Sequence, residues 1–425
     1  MWCVDAVAHI KNRFIAAWKI HIHIKHNMKQ LEPNGGIPRR ILLMMAVLAG
    51  FTVANLYYNQ ALLELISQGV GITQAEANLI TVITQVGYAL GLLFIVPMAD
   101  MVSVRRITTL AMSVAAASAL SIAYANNVWL IWGASLTLGL SSIMPQLYIP
   151  MATLYSRPEN KSRNMGYVAS GLLTGILSAR VISGYVGEWL GWRAMFIIVA
   201  VFMLLGLVVT LVMMPQMRPL FQGTYKQLMR SVGSIFVSHP RIRLYSLRPA
   251  LGFGSVLSVW SCLAFHLAEP PFEAGSGMVG MLALCGVVGA VAASGVGKYV
   301  PKVGILRMSV IGASGQLSAW IAAYIFGDSY GGIIAAIILA DIGAQCQQIS
   351  NQSGSLQQLP EATNRVNTIF MTTLFIGGSL GTLLSGIGWS RNGWTGVCFV
   401  GASFAILSLL LSVYDKMKYG QSKEK

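Results

Sequence analysis

The sequence predicts an all-α polytopic membrane protein of twelve transmembrane helices, built as two six-helix repeats. Three observations predict it. Apolar residues fill 55% of the 425 positions, charged residues only 10%, and mean hydropathy is +0.65, whereas a soluble domain is about 25% charged. Runs of about 20 apolar residues recur along the chain, each long enough as a helix to cross about 30 Å of hydrocarbon. Backbone polar groups in lipid must be satisfied within the segment, so these runs are read as helices. Finally, the second half of the chain repeats the first at one fixed offset.

In order, the spans are expected at about 41–63, 76–97, 107–125, 128–151, 165–187 and 194–214. The second set falls at about 246–267, 277–299, 304–326, 331–353, 366–388 and 394–414. Basic residues orient them: Arg39 and Arg40, Arg105 and Arg106, and Arg157, Lys161 and Arg163 fall in alternate connections. The series continues through Arg218, Lys226, Arg230, Arg241, Arg243 and Lys302 to Lys416, Lys418, Lys423 and Lys425. The other connections carry Glu64, Glu76, Glu188, Glu269, Glu273 and Asp328, with Arg193 and Arg391 as basic exceptions. This asymmetry predicts a multi-pass protein with both termini in the cytoplasm. The net charge of +15 is then a topology signal and an attraction to anionic lipid, with no nucleic-acid partner implied.

The expected organisation is an N-terminal extension (1–38), an N-terminal bundle (39–214), a basic cytoplasmic linker (215–245), a C-terminal bundle (246–414) and a cytoplasmic tail (415–425). In the linker Leu228, Val232 and Ile235 share one helical face, opposite Lys226 and Arg230, which predicts a short interfacial helix. The extension lacks the long apolar core and small-residue cleavage site of a signal peptide. It reads as an interfacial helix or as sequence upstream of a true start at Met28. His21, His23 and His26 carry no metal-site expectation, and the five scattered cysteines (Cys3, Cys262, Cys285, Cys346, Cys398) read as small apolar side chains.

The repeat is explicit at an offset of 202 residues. Pro158 meets Pro360, Glu159 meets Glu361, Arg163 meets Arg365, Gly175 meets Gly377, Gly184 meets Gly386, and Gly191–Trp192 meets Gly393–Trp394. Earlier, Val86–Gly87 meets Val288–Gly289. Two similar six-helix halves are a transporter arrangement, with substrate bound near the bilayer midplane between them.

The polar residues inside the spans are few. Span ten carries "ILADIGAQCQQISNQSG" (338–354), in which Asp341, Gln345, Gln348 and Gln352 lie along one helical face, widened by Gln347 and Asn351. A charged Asp at mid-membrane costs on the order of 2.5–3.5 kcal/mol on insertion scales, so it should face a partner or a water-filled cavity. Two readings stay open: a cavity-lining face in which Asp341 couples to protons, or amides that bond helix to helix. Span one offers Asn55, Tyr58 and Asn59, with Tyr57 and Gln60 beside them; span four offers Gln146 and Tyr148 between Pro145 and Pro150; span two adds Gln85 and Tyr88. Asn55, Tyr58, Asn59, Gln146, Gln345, Gln348 and Gln352 are the candidate substrate-binding residues. Arg180 in span five is the second candidate coupling charge, with Asp341 as a possible partner across the halves; a static pair would be structural, and a pair broken during cycling a switch. His266 and Glu269 read as a proton entry point or an interfacial pair.

Four stretches, "NLYYNQALL" (55–63), "QVGYALGLLFIVPMADMVSVRR" (85–106), "GWRAMF" (191–196) and "SNQSGSLQQLPEATNRVNT" (350–368), make the chain resemble the major facilitator superfamily, in its bacterial drug/sugar efflux-permease-like branch. The resemblance covers about residues 38–415. It implies the fold, a solute-transport activity, a cavity framed by spans one, four, seven and ten, and no particular substrate. It also implies that Asp100, Arg105, Glu159, Arg163, Glu361 and Arg365 form a cytoplasmic gate of salt bridges in the outward-facing state; helix capping and positive-inside anchoring is the other reading. The chain departs from the family's pattern at Val96, Met101 and Ser103 in the loop after span two, at Pro301 in its second-half counterpart, and at Ile176, where the antiporter signature has proline.

The expected function is therefore a secondary active transporter that moves a small solute across the cytoplasmic (inner) membrane by alternating access, in proton-coupled efflux (proton antiport). The alternative is a facilitator or proton symporter for a polar metabolite. No Walker-type phosphate loop appears, and neither a His-Glu-x-x-His motif nor a Ser/His/Asp grouping within the spans suggests an enzyme. The expected partners are the solute, protons and membrane lipid, the protein is expected to act as a monomer, and no cofactor or metal is implied.

Overall fold

The computed structural model describes residues 31–215 and 223–419. The expectations for His21, His23, His26, Met28 and the last tail residues lie outside them.

Hydrocarbon-length apolar sequence becomes helix throughout, and the interruptions are what organise it. Span one is Arg39–Ala54, a tight turn over 55–62, then Leu63–Val70. Span two is Gln74–Phe94, opened by a capping box in which Thr73 and Glu76 satisfy each other's free backbone N–H groups. Spans three to six follow: Val104–Ala123, Val128–Ser141 continued by Met144–Tyr155, Lys161–Leu190, and Trp192–Met213. In the second half Pro240–Ala268 is span seven. Span eight is Ser276–Leu282 joined by a 3-10 turn to Gly286–Val303. Ile305–Phe326 and Tyr330–Gln358 are spans nine and ten.

Nine helices of the described residues are long and apolar enough to cross a membrane. One of them, Pro360–Lys418, is 59 residues long and leaves helical geometry at Asn392 and Gly393, so it supplies spans eleven and twelve. The interrupted spans one and eight are not among the nine; with them the described helices are consistent with twelve crossings. Between the halves, Tyr225–Ser238 forms a surface helix that buries Leu228, Val232 and Ile235.

The alternating direction of the spans gives the molecule two faces. The proximal face holds the start of span one, the end of span four and the linker: the Gly36 N–H donates to the Tyr155 carbonyl at 2.9 Å, and the Tyr225 hydroxyl to the Phe94 carbonyl at 2.9 Å. The distal face holds the six intervening turns, tied by Trp132 Nε1 to the Glu76 carbonyl, Arg193 to the Ala125 carbonyl and Trp394 Nε1 to the Ala323 carbonyl.

Close helix approach uses glycine in the same way in each half. A Cβ on Gly171 or Gly175 of span five would strike the backbone of Ala46 or Gly50 in span one. In the second half, Gly377 and Gly381 of span eleven face Ala250 and Gly254 of span seven. Small residues at such crossings let backbones pack directly where lipid offers no hydrophobic drive. Gly175→Leu should therefore lower the thermal midpoint of the purified protein, at a cost of about 1–3 kcal/mol or more. Gly133→Leu, where a Cβ meets nothing within 4 Å, should leave the midpoint unchanged.

Candidate functional site

Three interrupted spans meet at one level. The turn in span one is tightened by bonds such as Gln60 N–H to the Tyr57 carbonyl (3.2 Å) and Leu62 N–H to the Asn59 carbonyl (2.9 Å). The break in span four lies beside it, since Asn55 Nδ2 donates to Ser142 Oγ at 3.0 Å. The 3-10 turn of span eight ends at Gly286, whose Cβ position lies 2.7 Å from Leu177 of span five and 3.4 Å from Asp341 Oδ2 of span ten. Irregular backbone at membrane depth is tolerated where it is enclosed by protein or lines a cavity, and broken helices mark binding sites in transporters.

Arg180 lies at this level, 5% exposed. Its Nε donates to Gln60 Oε1 at 2.7 Å. Its guanidinium carbon stands 4.7 Å from the Tyr57 ring centroid and 4.2 Å from that of Trp260 in span seven, so rings from both halves hold it. Asp341, half-buried on span ten, packs on span eight at Gly289, and the Trp260 side chain approaches its carboxylate. The two charges feel each other but are not in salt-bridge contact. The repeat offset carries Asp341 onto Gly139, which packs on span two as Asp341 packs on span eight. The charge thus sits on one side only of the pseudo-symmetry.

The polar stripe of span ten divides into two faces. Asp341, Gln345, Gln348 and Gln352 are half-buried, and Gln352 Nε2 donates to Asn367 Oδ1 at 2.9 Å. Gln347 and Asn351 are fully buried. Gln347 hydrogen-bonds with Gln316 of span nine and Ser408 of span twelve, at 2.6 Å each, and Asn351 Nδ2 donates to Ser309 Oγ at 3.1 Å. The first face is only partly covered and is tied to span eleven at Gln352, while the second is closed against spans nine and twelve.

The remaining candidates are placed as follows. Asn55, Tyr58 and Asn59 are buried within the N-terminal half, with Asn59 Nδ2 reaching Thr84 Oγ1 at 3.4 Å. Gln146 is half-buried beside Tyr88. Among the six gate residues no salt bridge closes: Glu159, Arg163 and Glu361 are exposed, Arg105 donates to the Leu211 carbonyl, and Asp100 faces the charge of Arg365 at a distance. His266 stacks on Trp394 at 4.2 Å and hydrogen-bonds the Gly327 carbonyl at 3.0 Å, leaving Glu269 aside.

The absence of gate contacts has a structural reason. Five side-chain hydrogen bonds join residues 31–215 to residues 240–419, and they lie toward the distal face. Trp389 Nε1 donates to Gln74 Oε1 (2.7 Å), Asn78 to the Thr382 carbonyl (2.8 Å) and Thr382 to Gln85 (3.3 Å). Ser276 donates to the Gly184 carbonyl (2.8 Å), and the Gly277 N–H to Glu188 (3.0 Å). On the proximal side span five packs little against Gly286–Val303, and a Cβ at Gly166 or Gly297 would meet open space. The halves are sealed distally and parted proximally between spans five and eight.

Sequence reasoning missed one intramembrane charge. Arg248 of span seven is completely buried and meets Asp415 at 3.2 Å near the end of span twelve. The signal was present, since the expected span seven at about 246–267 already contains Arg248.

Comparison with known proteins agrees with this geometry. The family model described as Major Facilitator Superfamily matches residues 42–382. The uncharacterized transporter YgaY of Escherichia coli O157:H7 is 34% identical over 381 residues, covering 89% of this chain and 96% of that protein. The probable transporter SCO4007 of Streptomyces coelicolor is 29% identical over 390 residues, covering 88% and 87%. Among solved structures, the nucleoside transporter NupG superposes with a TM-score of 0.68 at 15% identity, covering 90% of this chain and 100% of that one. A bacterial homologue of the human lysosomal transporter Spinster, inward-facing and occupied, gives 0.71 at 14% identity, covering 90% and 97%. At these identities the two structures speak for the fold.

The two faces of span ten make opposite predictions. Gln347→Leu strands Gln316 and Ser408 and should cost about 1–3 kcal/mol, seen as a lowered thermal midpoint of the purified protein. Gln348→Leu should stay within about 0.5 kcal/mol of the original.

Proposed function

Since the chain belongs to the Major Facilitator Superfamily and is a membrane transporter, we propose that it is a secondary active transporter, moving a small solute by alternating access coupled to protons at Asp341. One observation carries the reading: a half-buried carboxylate and a buried guanidinium face each other across the two halves, unpaired, at the level where three spans are interrupted. A carboxylate in that position is neutral or charged according to its proton, and its attraction to Arg180 across the seam changes with it. Proton occupancy therefore biases how the halves sit against each other, which is the element any coupling needs.

The proximal face is read as cytoplasmic, because Arg39, Arg40, Arg105, Arg106, Arg157 and Lys161 line it. The distally sealed, proximally parted arrangement then corresponds to an inward-facing state in the inner membrane, and the six charged gate residues would come together when the distal contacts open. The substrate would lie among Gln345, Gln348, Gln352 and Gln146, with the turn of Asn55, Tyr58 and Asn59 shaping the wall. A second reading, efflux by proton antiport, is favoured by the lack of a salt bridge at the Asp341 carboxylate among the described residues: a cationic solute held there would be displaced by an entering proton.

Energised inverted vesicles carrying a pH-sensitive dye, challenged with small drugs, sugars and metabolites, test the proposal. At least one compound should move protons with the original protein, and Asp341→Asn should reduce that response about tenfold or more. An unimpaired variant would leave Asp341 as a packing residue and the chain as a facilitator.

A further inference from the structure

The donors of Arg180 are incompletely used. A guanidinium presents five N–H groups in a rigid fork. Here Nε is satisfied by Gln60 at 2.7 Å, while among the described residues no hydrogen bond or salt bridge engages the two terminal nitrogens. Tyr57 and Trp260 cover the faces of the guanidinium, which stabilises the cation without satisfying any N–H. What remains is the outer edge, with paired donors in the geometry that takes a carboxylate through two parallel hydrogen bonds.

The charged and titratable groups around the pair are few. Arg180 faces Asp341 from span five and Cys285 faces it from span eight; span seven contributes the Trp260 indole. From the other side Tyr57 of span one and Asp341 face Arg180. Spans nine and twelve meet span ten through Gln316, Ser309 and Ser408. Among the described residues Asp341 is thus the one carboxylate at hand for the guanidinium, and it forms no salt bridge with it.

We propose that this site takes a small organic carboxylate, bound through its anionic group to the free edge of Arg180 in the place Asp341 would otherwise fill. The inference rests on the proton-coupled reading and sets its sign. Ionised Asp341 competes with the solute for one guanidinium. A proton taken from bulk water onto the Asp341 carboxylate removes the competitor, so proton and anion bind together and cross together. A cationic solute would give the opposite linkage, competing with the proton for Asp341.

The test uses the purified full chain in detergent from pH 6 to 8, with benzoate, lactate and succinate as probes against benzamide and benzylammonium. Binding is read from tryptophan fluorescence, to which Trp260 contributes, and from thermal midpoint. Carboxylates should bind, and their affinity should fall by up to about tenfold per pH unit where Asp341 ionises. Arg180→Gln should lose the binding and Arg180→Lys recover part of it. Asp341→Asn should bind carboxylate as tightly at pH 8 as at pH 6, a gain that misfolding cannot imitate. Failure of every carboxylate to bind, or binding indifferent to Arg180, overturns the inference. If benzylammonium binds instead and moves protons through Asp341, the anion site falls while proton coupling stands. If carboxylate binds Arg180 with no pH dependence in either protein, proton coupling falls and takes the joint movement with it.

Discussion

A guanidinium inside hydrocarbon must be held, and the way Arg180 is held shapes the middle of this protein. An unpaired charge at the bilayer centre is costly enough that intramembrane ionisable groups face the bundle interior, a partner or water. Arg248 meets the cost in the ordinary way, through Asp415. Arg180 meets it by a neutral amide and two aromatic rings, one from each half. Such a cradle stabilises the cation and still leaves donors for a second group. The turn in span one follows from it, because Tyr57 and Gln60 are both in that turn.

On the alternating-access reading proposed above, the seam between the halves must seal and also part. Its sealed end is polar, built on single hydrogen bonds that Asn78 and Ser276 donate and that Gln74, Gln85 and Glu188 accept. Individual bonds of this kind are worth about 1 kcal/mol, so five of them can hold a state without locking it. Within each half, by contrast, glycine-to-backbone packing and the Gln347 network are hard to reopen. On that reading the halves would be the rigid bodies and the seam the place of movement.

Much of the architecture was legible in the sequence. Hydropathy and basic-residue alternation mark the spans, and the recurrence of Pro158, Gly175 and Trp192 at Pro360, Gly377 and Trp394 marks the repeat. Helical periodicity also places Asp341, Gln345 and Gln348 on one face. What periodicity cannot say is which neighbour a polar face meets. Gln347 and Asn351 differ from Gln348 by a fraction of a turn, yet they bond spans nine and twelve. Asn55 and Asn59 look equally available on paper and lie buried against spans four and two. The holders of Arg180 are 120 and 123 residues away in span one and 80 away in span seven, a placement no local pattern encodes.

The central claim is that the distal seam opens while the solute passes between the halves. Cysteines replacing Gln74 and Trp389, in a chain whose five native cysteines are changed to serine or alanine, allow that seam to be bridged by a short bifunctional thiol reagent. Transport of whichever compound the vesicle assay identifies should stop on bridging and be untouched when either cysteine stands alone. A bridged protein that transports at the original rate would contradict the account, because the seam would then be static and the path elsewhere.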